Sequence, residues 1–204
     1  INNKDKEQFV NTEDLEKYVN DQGLNPYGKP LKEINTQHIE EAILANKLIS
    51  KAEVFTTNSG IVKAVIHERK PVLRVITLSG ENYYIDTEGH KMPLSKYYTA
   101  YLPIATGMIK DEFAMNDLYK FALFLQKNDF WNAQIEQIVV AADNEITLIP
   151  RVGDHRVLLG QLNGYKSKLD KLMTFYQRGL NDTGWNKYSI INLKYDKQVV
   201  CTKR

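Results

Sequence analysis

The first part of the chain alternates between a helical and an extended pattern of apolar positions. Apolar residues recur every three to four positions in "NTEDLEKYVNDQG" (11–23) and in "NTQHIEEAILANK" (35–47), each after an Asn/Thr pair suited to capping a helix. The period then falls to two in "ISKAEVFTT" (49–57) and "IVKAVIHER" (61–69), which the turn signal "NSG" joins. This order predicts a small sheet carrying two helices. The opening stretch "INNKDKEQFV" is too polar to predict another strand.

The rest of the chain is richer in strand signals. Two helices are predicted, over 111–127 and over 165–180, the second from a stripe of Leu and aromatic residues. "YLPIATG" (101–107) is predicted as a loop. Strands are predicted in the remaining apolar segments, 71–78, 82–86, three within 135–160, and a pair within 188–204. The whole is an α+β chain, with a domain of residues 1–70 followed by a domain of residues 71–204.

The closing segment "YSIINLKYDKQVVCTKR" predicts a strand, a tight reversal and a final strand. No segment follows in the sequence to pair with that last strand. Unpaired strand edges invite pairing with other chains, so proteins usually cover or blunt them. We therefore expect either another part of this chain or a partner to cover this edge.

Charge separates the two ends of the chain, although the net charge of the 204 residues is only +2. Residues 151–204 hold eleven Lys and Arg against four Asp and Glu. A basic region of this kind suits an acidic partner or nucleic acid. A solvated helix face with lysines at helical spacing is the simpler explanation and the one we favour.

Candidate catalytic and metal-binding chemistry is missing from the sequence. The four histidines, His38, His67, His90 and His155, show no zinc-binding spacing and are expected to be structural. The one cysteine, Cys201, falls inside the last strand, away from the electropositive setting of a reactive thiol. No glycine-rich phosphate loop is present. We therefore predict no enzyme, no catalytic residues, no metal, no cofactor and no small-molecule substrate.

Five motifs in order resemble the extracytoplasmic part of the FtsQ/DivIB cell-division proteins. The hairpin ends in "HERKPVLRV", like a POTRA module closing on Glu68, Arg69 and Pro71, and "YYIDTEGHKMP" follows with Asp86 and Gly89 in a turn. Then come "LPIATG", "VLLGQL" and "INLKYDKQVV". The resemblance covers essentially the whole chain.

That resemblance implies a fold and a role. The fold would be an N-terminal POTRA domain, with two helices on a small sheet, followed by a second domain with a bent antiparallel sheet and packed helices. The role would be a non-enzymatic scaffold of the divisome that binds FtsB and FtsL and helps to recruit and regulate septal peptidoglycan synthesis. An anchor preceding residue 1 would hold it in the cell inner membrane at the septum, with this region in the periplasm.

The family likeness also implies a binding site. Its last strand accepts an extended segment of FtsB as an added strand, in which backbone hydrogen bonds supply affinity. Lys194 and Tyr195 match the family's basic–aromatic pair just before that strand, although Tyr195 suits a core position equally well. The residues expected to bind the partner lie on the last strand, the turn before it and the neighbouring helix: Lys194, Tyr195, Lys197, Val199, Val200, Cys201, Lys203, Lys168, Lys171 and Phe175.

Two other functions fit parts of the sequence. A POTRA-type module of an outer-membrane assembly or secretion protein would share the first domain, but it belongs to tandem repeats leading into a barrel. A nucleic-acid-binding module would use the basic C-terminal region, and its affinity would fall steeply with salt. The low net charge favours a partner protein and no nucleic acid.

Overall fold

The computed structural model describes residues 1–4, 8–180 and 184–204. They form two compact units, one of Ile1–Lys70 with Met92–Ala100, the other of Pro71–Lys91 with Tyr101–Arg204. Each unit has its own hydrophobic core. The return of Met92–Ala100 to the first unit follows from no pattern in the sequence.

The first unit is a three-stranded sheet with two helices. The sheet order is β1-β3-β2, with β1 parallel and β2 antiparallel to β3. A π-helical turn follows the first helix at Asn20–Leu24, and a 3-10 turn lies at Leu31–Glu33. The bounds are β1 (Asn2–Asn3), α1 (Thr12–Val19), α2 (Thr36–Leu44), β2 (Ile49–Thr56) and β3 (Val62–Glu68).

Side-chain caps start both helices where the sequence predicts them. The Asn11 side chain accepts hydrogen bonds from the N–H groups of Glu13 (2.8 Å) and Asp14 (3.1 Å) before α1. The Asn35 side chain accepts one from His38 N–H at 3.1 Å before α2. Each bond satisfies an N–H group that has no partner inside the helix.

The short strand β1 is the difference from the sequence prediction in this unit. It is polar, so its place rests on backbone pairing and on the buried carboxylate of Glu68. That carboxylate accepts hydrogen bonds from Asn3 Nδ2 (2.5 Å), Phe9 N–H (2.8 Å) and Val10 N–H (3.0 Å). Glu68, a residue of the POTRA-like motif, thus holds the entry into α1. Part of the opening stretch, residues 5–7, lies outside the described residues.

The second unit is built on a nine-stranded sheet with helices. The strand order is β12-β11-β10-β9-β8-β7-β4-β5-β6. Its strands are β4 (Pro71–Thr77), β5 (Asn82–Asp86), β6 (Lys91–Met92), β7 (Ile104–Gly107), β8 (Ile135–Val140), β9 (Ile146–Pro150), β10 (Arg156–Gly160), β11 (Tyr188–Asn192) and β12 (Val200–Lys203). Its helices are α3 (Asp111–Phe113), α4 (Tyr119–Gln126), α5 (Asp129–Gln134) and α6 (Tyr165–Phe175), with π-helical segments at Ala114–Leu118 and Tyr176–Leu180.

This sheet is mixed, whereas the family likeness implied an antiparallel one. The pairs β4–β7, β7–β8 and β10–β11 are parallel. Parallel neighbours need a long crossover, and the helical segments before β8 and before β11 provide two of them. The α+β class, with two helices on a small sheet in the first unit, is confirmed.

Strand β7 corrects the prediction of a loop at 101–107. It lies between β4 and β8 and pairs with both. Gly107, at φ 118°, approaches Val140 so closely that a Cβ would lie 2.1 Å from the Val140 carbonyl oxygen. Four residues after a proline give too little pattern to indicate a strand, and pairing on both sides supplies what the pattern lacks.

The predicted stripe on α6 faces the core. Leu169, Leu172 and Tyr176 are buried, and Phe175 is half-buried against the same core. The cluster includes Ile191 of β11, while Val199 and Cys201 pack against it. The helix therefore covers the face of the sheet next to its last strands.

Candidate functional site: the edge strand β12 and helix α6

Strand β12 ends the sheet order and presents backbone groups at the edge. Leu193 N–H, just after β11, donates to the carbonyl of Leu158 on β10 at 2.9 Å. The odd-numbered residues of β11 therefore direct their backbone N–H and C=O groups towards β10, and its even-numbered residues direct theirs towards β12. Ile191 and Cys201 are therefore a non-hydrogen-bonded pair of the antiparallel ladder. The N–H and C=O groups of Cys201, and of Lys203 two residues on, point away from β11. No strand among the described residues lies beyond them.

Side chains of β12 alternate between core and solvent. Val199 and Cys201 pack against the core, whereas the Val200 side chain is 42% exposed and Thr202 is exposed. Lys203, at the end of the strand, is exposed as well although it lies on the side of Cys201. Burial raises the pKa of the Cys201 thiol. Because the thiolate is the reactive form, this shift argues against a reactive cysteine and for a packing role.

Arg204 anchors the end of β12 to the loop before β10. Its guanidinium forms an ion pair with the Asp154 carboxylate at 2.5 Å and a hydrogen bond to the Asp154 carbonyl. Its backbone N–H donates to Lys187 O at 3.3 Å. These contacts hold the strand in register with β11.

Lys194 is held in place by two other parts of the sheet. Its Nζ lies 2.8 Å and 2.7 Å from the two carboxylate oxygens of Glu145. Its stem crosses Gly160, where a Cβ would lie 2.9 Å from Lys194 Cγ and where φ is 73°. Glycine is thus required at position 160 both for the backbone and for the lysine above it.

Two of the three lysines of α6, Lys168 and Lys171, bind carbonyl groups of the same unit. Lys168 Nζ donates to Gln161 O at 2.7 Å, and Lys171 Nζ donates to Tyr195 O at 2.7 Å. Burial, together with the neighbouring charge of Lys171, lowers the pKa of Lys168. Lys171 ties the helix to the turn before β12.

The remaining expected residues are distributed around this edge. Tyr195 is 51% exposed, which settles the choice between core and surface in favour of the surface. Lys197 is exposed and adopts a positive φ of 56° in the turn. The Phe175 ring packs against Tyr188 of β11, with ring centroids 5.9 Å apart.

The structure therefore brings some of the ten expected residues into direct contact, as Lys171 and Tyr195 show. Hydrogen bonds connect α6 with the turn through Lys171, and Lys194 shares that turn. Sequence reasoning missed Glu145, Asp154 and Arg204, which fix Lys194 and β12. Glu145 stands 49 residues before Lys194, and no local pattern indicates a pair at that separation.

Asp86, Glu88 and His90 form a group that could hold a metal ion, with ligand atoms within 4.8 Å of one another. The Asp86 carboxylate also accepts hydrogen bonds from the N–H groups of Glu88 and His90, both at 2.9 Å. Such bonds are those of an Asx turn, which this hairpin needs without any ion.

Among the residues that the structure describes, no helix is long and apolar enough to cross a bilayer.

A POTRA-like unit followed by a sheet with an accessible edge strand defines a class of two-domain scaffold. The family model described as "FtsQ/DivIB, C-terminal related" matches residues 70–202, and the "POTRA-like domain" model matches residues 1–67. The chain belongs to the FtsQ/DivIB family, which confirms the resemblance found in the sequence. It is also similar to "Cell division protein FtsQ" of Rhodothermus marinus, at 24% identity over 184 residues that cover 85% of this chain and 67% of that protein. These matches support a cell-division scaffold.

Proposed function

We propose that this chain is a divisome scaffold that binds FtsB and FtsL, with FtsB adding a strand to β12. Through these partners it helps to recruit and regulate septal peptidoglycan synthesis. The protein acts at the inner membrane of the division septum, with this region in the periplasm. Family membership supports the cell-division role.

The observation that carries the strand addition is the direction of the β12 backbone. Cys201 and Lys203 offer two N–H and two C=O groups to an incoming extended segment, and hydrogen bonds of this kind give β-augmentation its affinity. Exposed Tyr195 and Val200 supply apolar area beside that edge. Lysines around it suit an acidic partner.

The same proposal assigns the chain no enzymatic activity and two domains, 1–70 and 71–204. The first is the POTRA domain and the second carries the partner site. The family matches to residues 1–67 and 70–202 support this division.

A proline at Lys203 tests the proposal. Lys203→Pro removes an outward N–H and adds a ring at the edge, and a proline is tolerated on an edge strand where the N–H faces solvent. Lys203→Ala removes the same side chain but keeps the N–H. We expect calorimetric titration with the extracytoplasmic segment of the cognate FtsB to show binding by the native chain and by Lys203→Ala, and about tenfold or greater weakening in Lys203→Pro, because one bond is lost and the approach of the strand is blocked.

Thermal unfolding of all three proteins establishes that they are folded. Equal affinity of Lys203→Pro and Lys203→Ala would place the FtsB contact away from this edge. If the native chain does not bind the segment, the FtsB assignment is wrong.

A further inference from the structure

In the free chain, the ammonium group of Lys194 is paired with the carboxylate of Glu145. Both carboxylate oxygens of Glu145 lie within 2.8 Å of Lys194 Nζ. The two side chains are 37% and 39% exposed, so water and a binding partner have access to the pair. An ion pair in this setting contributes little to stability and is readily exchanged.

The position of Lys194 is fixed independently of Glu145. The missing side chain of Gly160 leaves the space through which the lysine stem passes. On both sides of Lys194 the backbone is tied to α6, since Lys171 Nζ donates to Tyr195 O at 2.7 Å and to Leu193 O at 3.4 Å. The backbone and the stem of Lys194 would therefore keep their place if Glu145 moved away, and the ammonium group would stay within reach of this edge.

Positive charge exceeds negative charge around this pair. Lys171 and Lys194 both lower the pKa of Lys168, after burial, while Glu145 raises it. Asp143 is a further acidic group close enough to raise the pKa of Lys194, after Glu145 itself. Three lysines, Lys168, Lys171 and Lys194, thus stand against two carboxylates, those of Glu145 and Asp143, and the surplus positive charge suits one further carboxylate.

We propose that Glu145 is an internal stand-in for a carboxylate of the partner, and that an acidic side chain of the segment added at β12 replaces it on Lys194. This inference rests on the proposed function. Glu145 then acts as a specificity-determining residue, because a partner gains from its carboxylate only after displacing this one. It keeps the affinity for acidic segments moderate and the complex reversible.

The test is a double-mutant cycle on the 204-residue chain. Glu145→Gln preserves shape and removes the competing charge, and Lys194→Gln removes the cation. Asp170→Asn is the control for net charge, since Asp170 is an exposed acidic residue of α6 between Lys168 and Lys171. Each protein is titrated with the cognate FtsB segment and with labelled hexaglutamate, and thermal unfolding verifies folding.

We expect Glu145→Gln to bind the FtsB segment about twofold to fivefold more tightly, the range expected for one exposed ion pair. The gain should vanish when Lys194→Gln is also present, and Asp170→Asn should change affinity by less than about twofold. Weaker or unchanged binding by Glu145→Gln would overturn the inference, as would an equal gain in Asp170→Asn.

Hexaglutamate separates this inference from the proposed function. In one outcome, Glu145→Gln binds hexaglutamate more tightly only when Lys194 is present, and the FtsB segment does not bind. That outcome would retain the exchange site and reject the proposed partner. In the other outcome, the native chain binds the FtsB segment, but Glu145→Gln raises the affinity for neither probe. That outcome would retain the partner and reject the exchange.

Discussion

Lys194 illustrates at the scale of one residue how distant segments position a surface charge. Gly160 admits its stem, Lys171 ties the adjoining backbone, and Glu145 binds its ammonium group. Long flexible side chains lose rotamer freedom when they bind, so a lysine held beforehand loses less. This fixed position would suit Lys194 to the partner contact proposed above.

His155 shows a different kind of constraint, because it is buried. Its Nε2 lies 2.9 Å from the Tyr176 hydroxyl, and its Nδ1 has no hydrogen-bond partner in the part of the chain that is described. Burial lowers the pKa of this imidazole, Arg204 lowers it further, and Asp154 opposes the shift. The neutral form is therefore the one that the folded chain accommodates.

A pH dependence of stability results from this burial. As the pH falls, His155 of the unfolded chain takes up a proton near the ordinary pKa of 6.5, whereas His155 of the folded chain takes it up only at a lower pH. The contribution of His155 to stability is thus present above pH 6.5 and is lost as the pH falls through the lower, folded-state pKa. We expect the free energy of unfolding of the unmodified chain, measured in urea, to fall more between pH 7.5 and pH 5 than that of the His155→Gln variant. Parallel pH profiles for the two proteins would show that His155 is not responsible.

At the scale of an element, β12 is a short strand whose register depends on the residue at its C-terminal end. Four residues pair with β11, which itself contains a bulge between Tyr188 and Ile190. Arg204 adds an ion pair and two hydrogen bonds beyond the strand. The accessible edge is thus braced from its end, and the outward groups stay at fixed spacing.

Removing this brace should loosen β12 without unfolding the unit. In Arg204→Gln, the amide of Thr202, which faces β11, should exchange its hydrogen up to about fivefold faster, the effect of one exposed ion pair. Asp154→Asn should produce a similar change, and amides of β9 should be unaffected in both variants. Hydrogen exchange followed by NMR measures this directly. Unchanged exchange at Thr202 in both variants would show that the strand needs no such anchor.

At the scale of the whole molecule, local signals predicted most elements. The caps at Asn11 and Asn35, the "NSG" hairpin and the stripe on α6 all act within a few residues, where sequence patterns are informative. Strand β7 was missed because its stability comes from neighbours on both sides. The return of Met92–Ala100 to the first unit depends on contacts such as the packing of Tyr98 on Phe9, which no local period records.

The candidate site divides in the same way. The last strand and the basic–aromatic pair are visible in the sequence because they are contiguous. Glu145 and Asp154 are not, since each meets its partner across about fifty residues. What the sequence lacks is the pairing of β9, β10 and β11 that brings these groups to one edge.

The measurement that tests strand addition most directly is amide hydrogen exchange along β12, with and without saturating FtsB segment. In the free chain, the amides of Cys201 and Lys203 point outward and should exchange faster than those of Val200 and Thr202, which face β11. Strand addition predicts that the segment slows exchange at Cys201 and Lys203. Fast exchange at both amides in the saturated complex would contradict it.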